Sequence, residues 1–136
     1  MANVEVSEAA EARLRDEIII WMSTVTPAGQ PQSYPVWFLW TGEVLWVYSM
    51  DGIRVRNLGQ NGKVNLHLNS DAGGGSVVVI QGTAEVVRDA PASHAVPEYA
   101  AKYGPKLAEY GWSWERFERD YPVPIRITPT RVQTDD

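Results

Sequence analysis

Three cations crowd one short stretch of an acidic chain. Across 136 residues with a formal charge of −5, no lysine or arginine falls between Arg15 and Arg54, and then Arg54, Arg56 and Lys63 arrive together, opposed only by Asp51. Gly59, Asn61 and Gly62 interrupt them, and Ser49 stands just before, at the end of an apolar run. A strand end carrying Ser49, followed by a helix start with Arg54 and Asn57, offers an anion four things: a hydroxyl, a guanidinium fork, an amide and free backbone N–H groups. Phosphate is the anion such a set suits. A solvated basic turn is the plainer alternative, and local composition leaves both open.

Other chemistries find less support. The chain has no cysteine, which excludes disulfides, thiolate zinc sites, iron–sulfur clusters and cysteine nucleophiles together. His67 and His94 are the only histidines and share no metal-ligand frame. His67 is read as a surface or interface residue, and His94 with Glu98 as a solvated pair, so no metal is expected. There is no Gly-x-Ser-x-Gly elbow for a serine hydrolase. The triple glycine 73–75 lacks both the lysine of a phosphate loop and a dinucleotide spacing, and reads as a flexible hairpin tip. A net negative charge without a basic face disfavours nucleic acid. No apolar run approaches the roughly 20 residues of a membrane span, and MANVEVSEAAEARLRDE lacks the order of a signal peptide, so a cytoplasmic protein is expected.

The elements that would position the basic stretch follow from periodicity. SEAAEARLRDE predicts a helix over about 7–16 capped by Ser7. IIIWMSTV at 18–25 is apolar on both sides, as in a buried strand, and TPAGQP turns it into QSYPVWFLW at 32–40. That strand places Tyr34, Val36, Phe38 and Trp40 on one face and Pro35, Trp37 and Leu39 on the other. VLWVYS at 44–49 follows as a hairpin partner. In MDGIRVRNLGQNG, Val55 and Leu58 share one face of a helical turn or two ended by Gly59 or Gly62. KVNLHLN then alternates with Val64, Leu66 and Leu68 inward. Gly82, inside the long strand 76–88, predicts a bulge or a close backbone approach that bends it. Residues 90–121 turn helical, and a last strand spans 123–132 with Pro124 and Pro129 limiting its pairing. The sum is an α+β protein built round a barrel-like sheet, one domain over 1–136 with its barrel at about 18–88. Six tryptophans and six tyrosines fit either an aromatic core with a dimer interface or a wall for a planar ligand.

Ordered motifs narrow these options. Gly29, Pro31 and Pro35–Phe38, then Arg54, Asn57 and Leu58, then Ile80 and Gly82–Val86, with YPVPIRITPTR at the end, resemble the split β-barrel flavin and deazaflavin oxidoreductase superfamily that includes pyridoxamine 5′-phosphate oxidase. The branch using the deazaflavin coenzyme F420 is the nearer match, and the resemblance runs over roughly residues 15 to 132. It implies a split β-barrel with short connecting helices and a homodimer with cofactor sites at the subunit interface. Ser49, Arg54 and Asn57 would hold the cofactor phosphate, with Arg56 or Lys63 near the anionic tail. The backbone of Pro35, Val36, Trp37 and Phe38 would line the ring. Many members carry lysine where Arg54 stands, and arginine favours a bidentate grip over a point charge.

The implied reaction is hydride transfer between reduced F420 and a small organic acceptor, the protein supplying position, electrostatics and a proton route. No protein nucleophile or general acid is assigned; Tyr48 or solvent could deliver the proton. An FMN-dependent enzyme of the same superfamily, or a non-catalytic binding protein for either cofactor, are the alternatives. Oxidation of pyridoxamine phosphate itself is disfavoured, because IRITPTRV stands where that enzyme's substrate motif is expected.

Overall fold

The computed structural model describes residues 4–136. Helix α1 (Glu8–Asp16) begins where expected: the Ser7 hydroxyl accepts the Ala10 N–H at 3.2 Å, Glu8 and Glu11 occupy the first turn, and Ala10 and Leu14 face the core. Strands β1 (Ile19–Val25) and β2 (Pro31–Trp37) form a hairpin around Gly29, whose φ of 87° suits glycine. The chain continues through β3 (Leu39–Trp40), β4 (Leu45–Ser49), helix α2 (Ile53–Gln60), β5 (Lys63–His67) and β6 (Val78–Val86). A short 3-10 turn at Ser93–Ala95, helices α3 (Pro97–Tyr110) and α4 (Trp114–Asp120), and strand β7 (Val123–Thr134) complete it.

Seven strands make one antiparallel sheet in the order β2-β1-β5-β6-β7-β4-β3. Strands β2 and β3 lie at opposite edges yet are joined through Phe38 alone, so the sheet curls until β2 approaches β4. The result is a half-barrel with a seam. This crossing is why the predicted strand 32–40 breaks at Phe38. Strand alternation survives the break. Val36, Phe38 and Trp40 join the aliphatic interior with Ile20, Met22, Leu66, Ile80 and Ile125, while Trp37 and Leu39 face a second, aromatic cluster under α3 and α4.

Curling needs a local device. Gly82 sits where the β6–β7 register slips, and a Cβ there would lie 2.7 Å from the Thr128 carbonyl, so only glycine fits. Thr130 is the extra residue opposite, its hydroxyl donating to the Gln81 carbonyl at 3.2 Å. Pro129 pairs with Gly82 at this slip, and β7 still pairs along both of its edges.

Three details depart from expectation. Helix α2 runs through Gly59 to Gln60, capped at Asn61, since the Asn61 N–H donates to the Asn57 carbonyl at 2.8 Å. Strand β1 buries one face only: Ile20, Met22 and Thr24 are enclosed, whereas Ile19 and Trp21 stay partly open on the other. The glycine tip at 73–75 is tied rather than loose, because the Asp71 carboxylate accepts the Gly73 and Gly75 N–H groups at 2.9 and 2.8 Å. Those bonds hold the Asp71 carboxyl below its usual range.

Candidate functional site

A cleft of about 350 Å³ opens where the half-barrel fails to close. One wall comes from the strands: Pro35, Val36 and Trp37 at the end of β2, Ile19 at the start of β1, Tyr48 on β4, then Met50 and Arg54 beyond it. The other comes from the helices, with Leu107 and Tyr110 of α3, Trp112 in the connecting corner, Phe117 of α4 and Tyr121. Size and composition suit one small flat ligand in an apolar site with few polar anchors.

The strand wall follows from period two. On β4, Leu45 and Val47 point into the barrel, so Tyr48 points out to the cleft and Ser49 points back in. Ser49 is 1% exposed, and its hydroxyl donates to the Met50 carbonyl at 2.9 Å. On α2, Leu58 is buried against the barrel, as is Asn57, which is 1% exposed. The Asn57 amide donates to Thr24 Oγ1 at 3.4 Å and Gln32 Oε1 at 3.3 Å, tying α2 to β1 and to the residue after Pro31. Its Oδ1 is buried without a partner. Arg54, one turn earlier, reaches the cleft, its guanidinium lying 3.7 Å above the centroid of Tyr34. A guanidinium held over an aromatic face has less freedom to swing its donors away. Burial raises the Tyr34 hydroxyl above its ordinary pKa, with the Thr24 bond and the Arg54 charge opposing.

The nine residues singled out from sequence therefore separate. Pro35, Val36, Trp37 and Arg54 line the cleft together. Phe38 lies behind them, fully buried. Ser49, between the lining residues Tyr48 and Met50, and Asn57, three residues beyond Arg54, are turned into the protein. Arg56 and Lys63 are exposed, and neither lines the cleft. Arg54 is thus the one charged group on the lining among the described residues.

The helix wall was not visible in advance. Gly111 ends α3 in the left-handed region (φ 72°), and the Trp112 N–H returns to the Leu107 carbonyl at 2.9 Å. Ser113 then caps α4, accepting the Arg116 N–H at 3.1 Å. This tight corner aims Trp112 over the cleft, with the Arg116 guanidinium 3.8 Å from its ring. The glycine followed by a serine cap was the available signal.

Tyr103 behind the cleft and Trp37, Phe117 and Tyr121 on its lining form a run of near-parallel rings: 4.6 Å and 9° for the first pair, 5.4 Å and 17° for the second, 5.1 Å and 26° for the third. Tyr103 also serves the strand break. Its hydroxyl accepts the Phe38 N–H at 2.9 Å and has the Ile18 and Phe38 carbonyls at 2.7 and 3.0 Å for its one proton. Lys102 Nζ adds a bond to the Phe38 carbonyl at 3.0 Å while lying 3.9 Å from the Phe38 ring. Burial drags the Lys102 ammonium down to about 8, against the pull of Asp16 and Glu17.

One expectation needs correction. His94 pairs with Glu118, not Glu98: Nδ1 lies 2.6 Å from Glu118 Oε2, which also accepts the His94 N–H and the Ser93 hydroxyl. Burial pushes the Glu118 carboxyl up, but these bonds outweigh it and hold the group below its usual range. The Tyr48 hydroxyl donates to the Pro91 carbonyl at 3.0 Å, and burial, then Glu118, raises its pKa. His67, stacked on Trp21 at 6.3 Å and 9°, is a surface residue of the outer sheet face. No group of residues suited to a metal occurs among the described residues, and no helix there is long and apolar enough to cross a membrane.

A curled antiparallel sheet split along a seam, with a mostly apolar cleft lined by one cation among the described residues, defines a split-barrel protein. The model of the pyridoxamine 5′-phosphate oxidase family matches residues 6–134, and the chain belongs to that family. Among solved structures it is similar to an F420 reductase (26% identity, 94% of this chain and 98% of that one, TM-score 0.70). It shares its fold with a conserved hypothetical protein of Mycobacterium tuberculosis (22%, 98% and 88%, TM-score 0.68) and an FAD-binding protein of Mesorhizobium loti (19%, 93% and 90%, TM-score 0.63). No curated protein matches the chain.

Proposed function

We propose that the protein is an F420-dependent oxidoreductase that transfers a hydride between the deazaflavin coenzyme and a small organic acceptor. The observation that carries this reading is the charge of the cleft: one guanidinium, fixed at 3.7 Å on Tyr34, beside otherwise uncharged walls. The phosphodiester in the F420 tail carries a single negative charge, which one arginine matches. The terminal phosphate of FMN carries close to two, and Arg56 and Lys63, which would supply the second countercharge, stand outside the cleft. Similarity to an F420 reductase along nearly the whole chain supports the same choice.

In this reading Arg54 grips the phosphate, and the backbone of Pro35, Val36, Trp37 and Phe38 lines the ring. Ser49 and Asn57 act from behind. Asn57 anchors α2 to β1 and β2 so that Arg54 stays over Tyr34, while Ser49 fixes the turn at Met50. Arg56 and Lys63 remain free for the outer, anionic end of the tail. Bound there, the coenzyme supplies hydride chemistry; the protein contributes position and a dry wall, and solvent the proton.

A homodimer completes the proposal. Ile19, Met50 and Tyr110 of the cleft lining are exposed, as is Ile53 at the start of α2, and the outer face of β1 and β2 pairs Ile19 with Trp37 and Trp21 with Pro35. A second copy covering this apolar strip would enclose the cleft.

The test is equilibrium titration with F420 and with FMN, side by side. F420 should bind more tightly, and Arg54→Ala should weaken it by about 1.5–3 kcal/mol, the range for a charge-assisted hydrogen bond, with a dimer of unchanged mass by light scattering. Unchanged affinity in that variant, or preference for FMN, overturns the reading.

A further inference from the structure

Two hydrogen-bonded anchors join the walls of the cleft through the chain between β6 and α3, and the coenzyme assignment uses neither. From the strand wall, the Tyr48 hydroxyl donates to the Pro91 carbonyl at 3.0 Å. From α4, Glu118 Oε2 accepts the Ser93 hydroxyl at 3.0 Å and the His94 N–H at 2.9 Å, with His94 Nδ1 at 2.6 Å. Ser93 is 1% exposed, so losing its bond would strand a polar group rather than wet it. Short turns stiffen the chain around these anchors: the Ala90 N–H donates to the Val87 carbonyl at 3.1 Å and the Ala95 N–H to the Ala92 carbonyl at 2.9 Å. Packing holds α4 with less direction. This helix of seven residues buries Phe117 alone, and Phe117 meets the strand wall as a stack on Trp37 at 5.4 Å and 17°. Stacked rings resist separation but slide and tilt at little cost, whereas a hydrogen bond fails once its angle is lost.

Resting on the reading that a coenzyme ring lies in this cleft, we infer that residues 91–94 form a strap that fixes how α4 sits over the strand wall, with Glu118 and Tyr48 as the positioning residues at its two ends. Glu118 lies off the lining and works through its neighbours: Phe117 precedes it, and Tyr121, one turn after Phe117, donates its N–H to the Phe117 carbonyl at 2.8 Å. Both rings line the cleft, so a tilt of α4 about Phe117 moves Tyr121 and changes the gap open to a flat ring. At the other end, Tyr48 turns its ring to the cleft while its hydroxyl holds the strap. A carboxylate suits this task because an ionised acceptor makes each of its bonds stronger than a neutral one would. Cutting either end therefore frees the same helix, a property that two separate contacts would lack.

Hydrogen exchange and F420 titration of Glu118→Ala, Tyr48→Phe and the double variant test the inference. In protein without coenzyme, each single variant should speed amide exchange across α4 by at least about threefold, Tyr48→Phe included although Tyr48 belongs to the other wall. Each should weaken F420 at least about threefold, and the double variant should lie within about twofold of the weaker single one, because a strap cut once carries nothing further. Glu118→Gln, which keeps an acceptor oxygen, should recover most of the loss. Should Glu118→Ala not fold, His94→Ala, at an exposed residue, takes its place. Exchange in α4 that ignores either substitution, or losses that multiply in the double variant, overturn the strap. If F420 does not bind while Tyr48→Phe still loosens α4, the coenzyme reading falls and the strap stands.

Discussion

The two apolar clusters of this protein are built from different residues for different ends. Inside the half-barrel, Ile20, Met22, Leu45, Val47, Leu66, Ile80, Ile125 and Ile127 are aliphatic, enclosed and free of side-chain polar atoms. Outside it, under α3 and α4, the cluster of Tyr48, Tyr99, Tyr103 and Phe117 is almost wholly aromatic, and its tyrosine hydroxyls must each find a partner or go without. The first cluster holds the sheet curled. The second shapes one side of a cleft. Aliphatic side chains fill volume at native density, whereas rings give flat, stiff surfaces at fixed spacing; a site for planar molecules is therefore expected to lie against the aromatic cluster, as the cleft does.

The largest effect should come from breaking the barrel interior. Leu66→Ala removes a fully buried side chain and should cost about 2–5 kcal/mol by chemical denaturation. Ligand affinity in the folded fraction should hardly change, because Leu66 does not line the cleft. Next is Tyr103→Phe, which strands the Phe38 N–H and loosens the strand break. It should cost about 1–3 kcal/mol, and because Trp37 stacks on Tyr103 it should also weaken whatever binds beside Trp37. A variant that lost stability without touching affinity would sever the link drawn between cluster and cleft.

Lys102 sharpens the comparison through pH. Its folded pKa, about 8, is lower than its ordinary 10.5, so the unfolded chain holds a proton that the folded one has released across that window. Stability should therefore rise as pH climbs from about 8 toward 10, the burial penalty on the ammonium being present below and relieved above. The buried tyrosines, Tyr99 and Tyr103, are raised by burial, so near pH 10 they ionise first in the unfolded chain and set the upper end of this rise. Denaturation midpoints of Lys102→Met against pH should lack the rise; an unchanged profile would assign it elsewhere.

What the sequence made legible follows the same division. Strand alternation placed Val64, Leu66 and Leu68 inward and split Val36 and Phe38 from Trp37, because a period of two names both faces at once. Arg54 stood out as the first cation after a gap reaching back to Arg15, in company with Arg56 and Lys63. The helical pattern of residues 90–121 did not say which faces would meet the strands, so Leu107 and Tyr110 could not be placed on the cleft. Trp112 follows no periodicity; a left-handed glycine aims it. The His94 partner escaped for a related reason. Glu98 is four residues away but lies on α3, while Glu118 arrives from α4 after a turn that sequence separation does not reveal. Local patterns reach as far as one element, and the cleft is made where several meet.

The smallest effect is the most discriminating within the aromatic cluster. Tyr99 and Tyr103 lie one helical turn apart on α3, both fully buried, their rings 4.8 Å apart. Tyr103 bonds the backbone at Ile18, just before β1, and at Phe38, between β2 and β3, whereas the Tyr99 hydroxyl has no partner. A buried hydroxyl without a hydrogen bond has lost its water for nothing, so removing it should be neutral or gain up to about 1 kcal/mol. Tyr99→Phe keeps the ring against Tyr48, Trp114 and Phe117 and deletes only the oxygen. Measured beside Tyr103→Phe under one denaturant, the two substitutions share chemistry, helix and burial, and should differ in sign or nearly so. A loss from Tyr99→Phe as large as that from Tyr103→Phe would mean that its hydroxyl has a partner in solution, and that this cluster is satisfied throughout, like the aliphatic one.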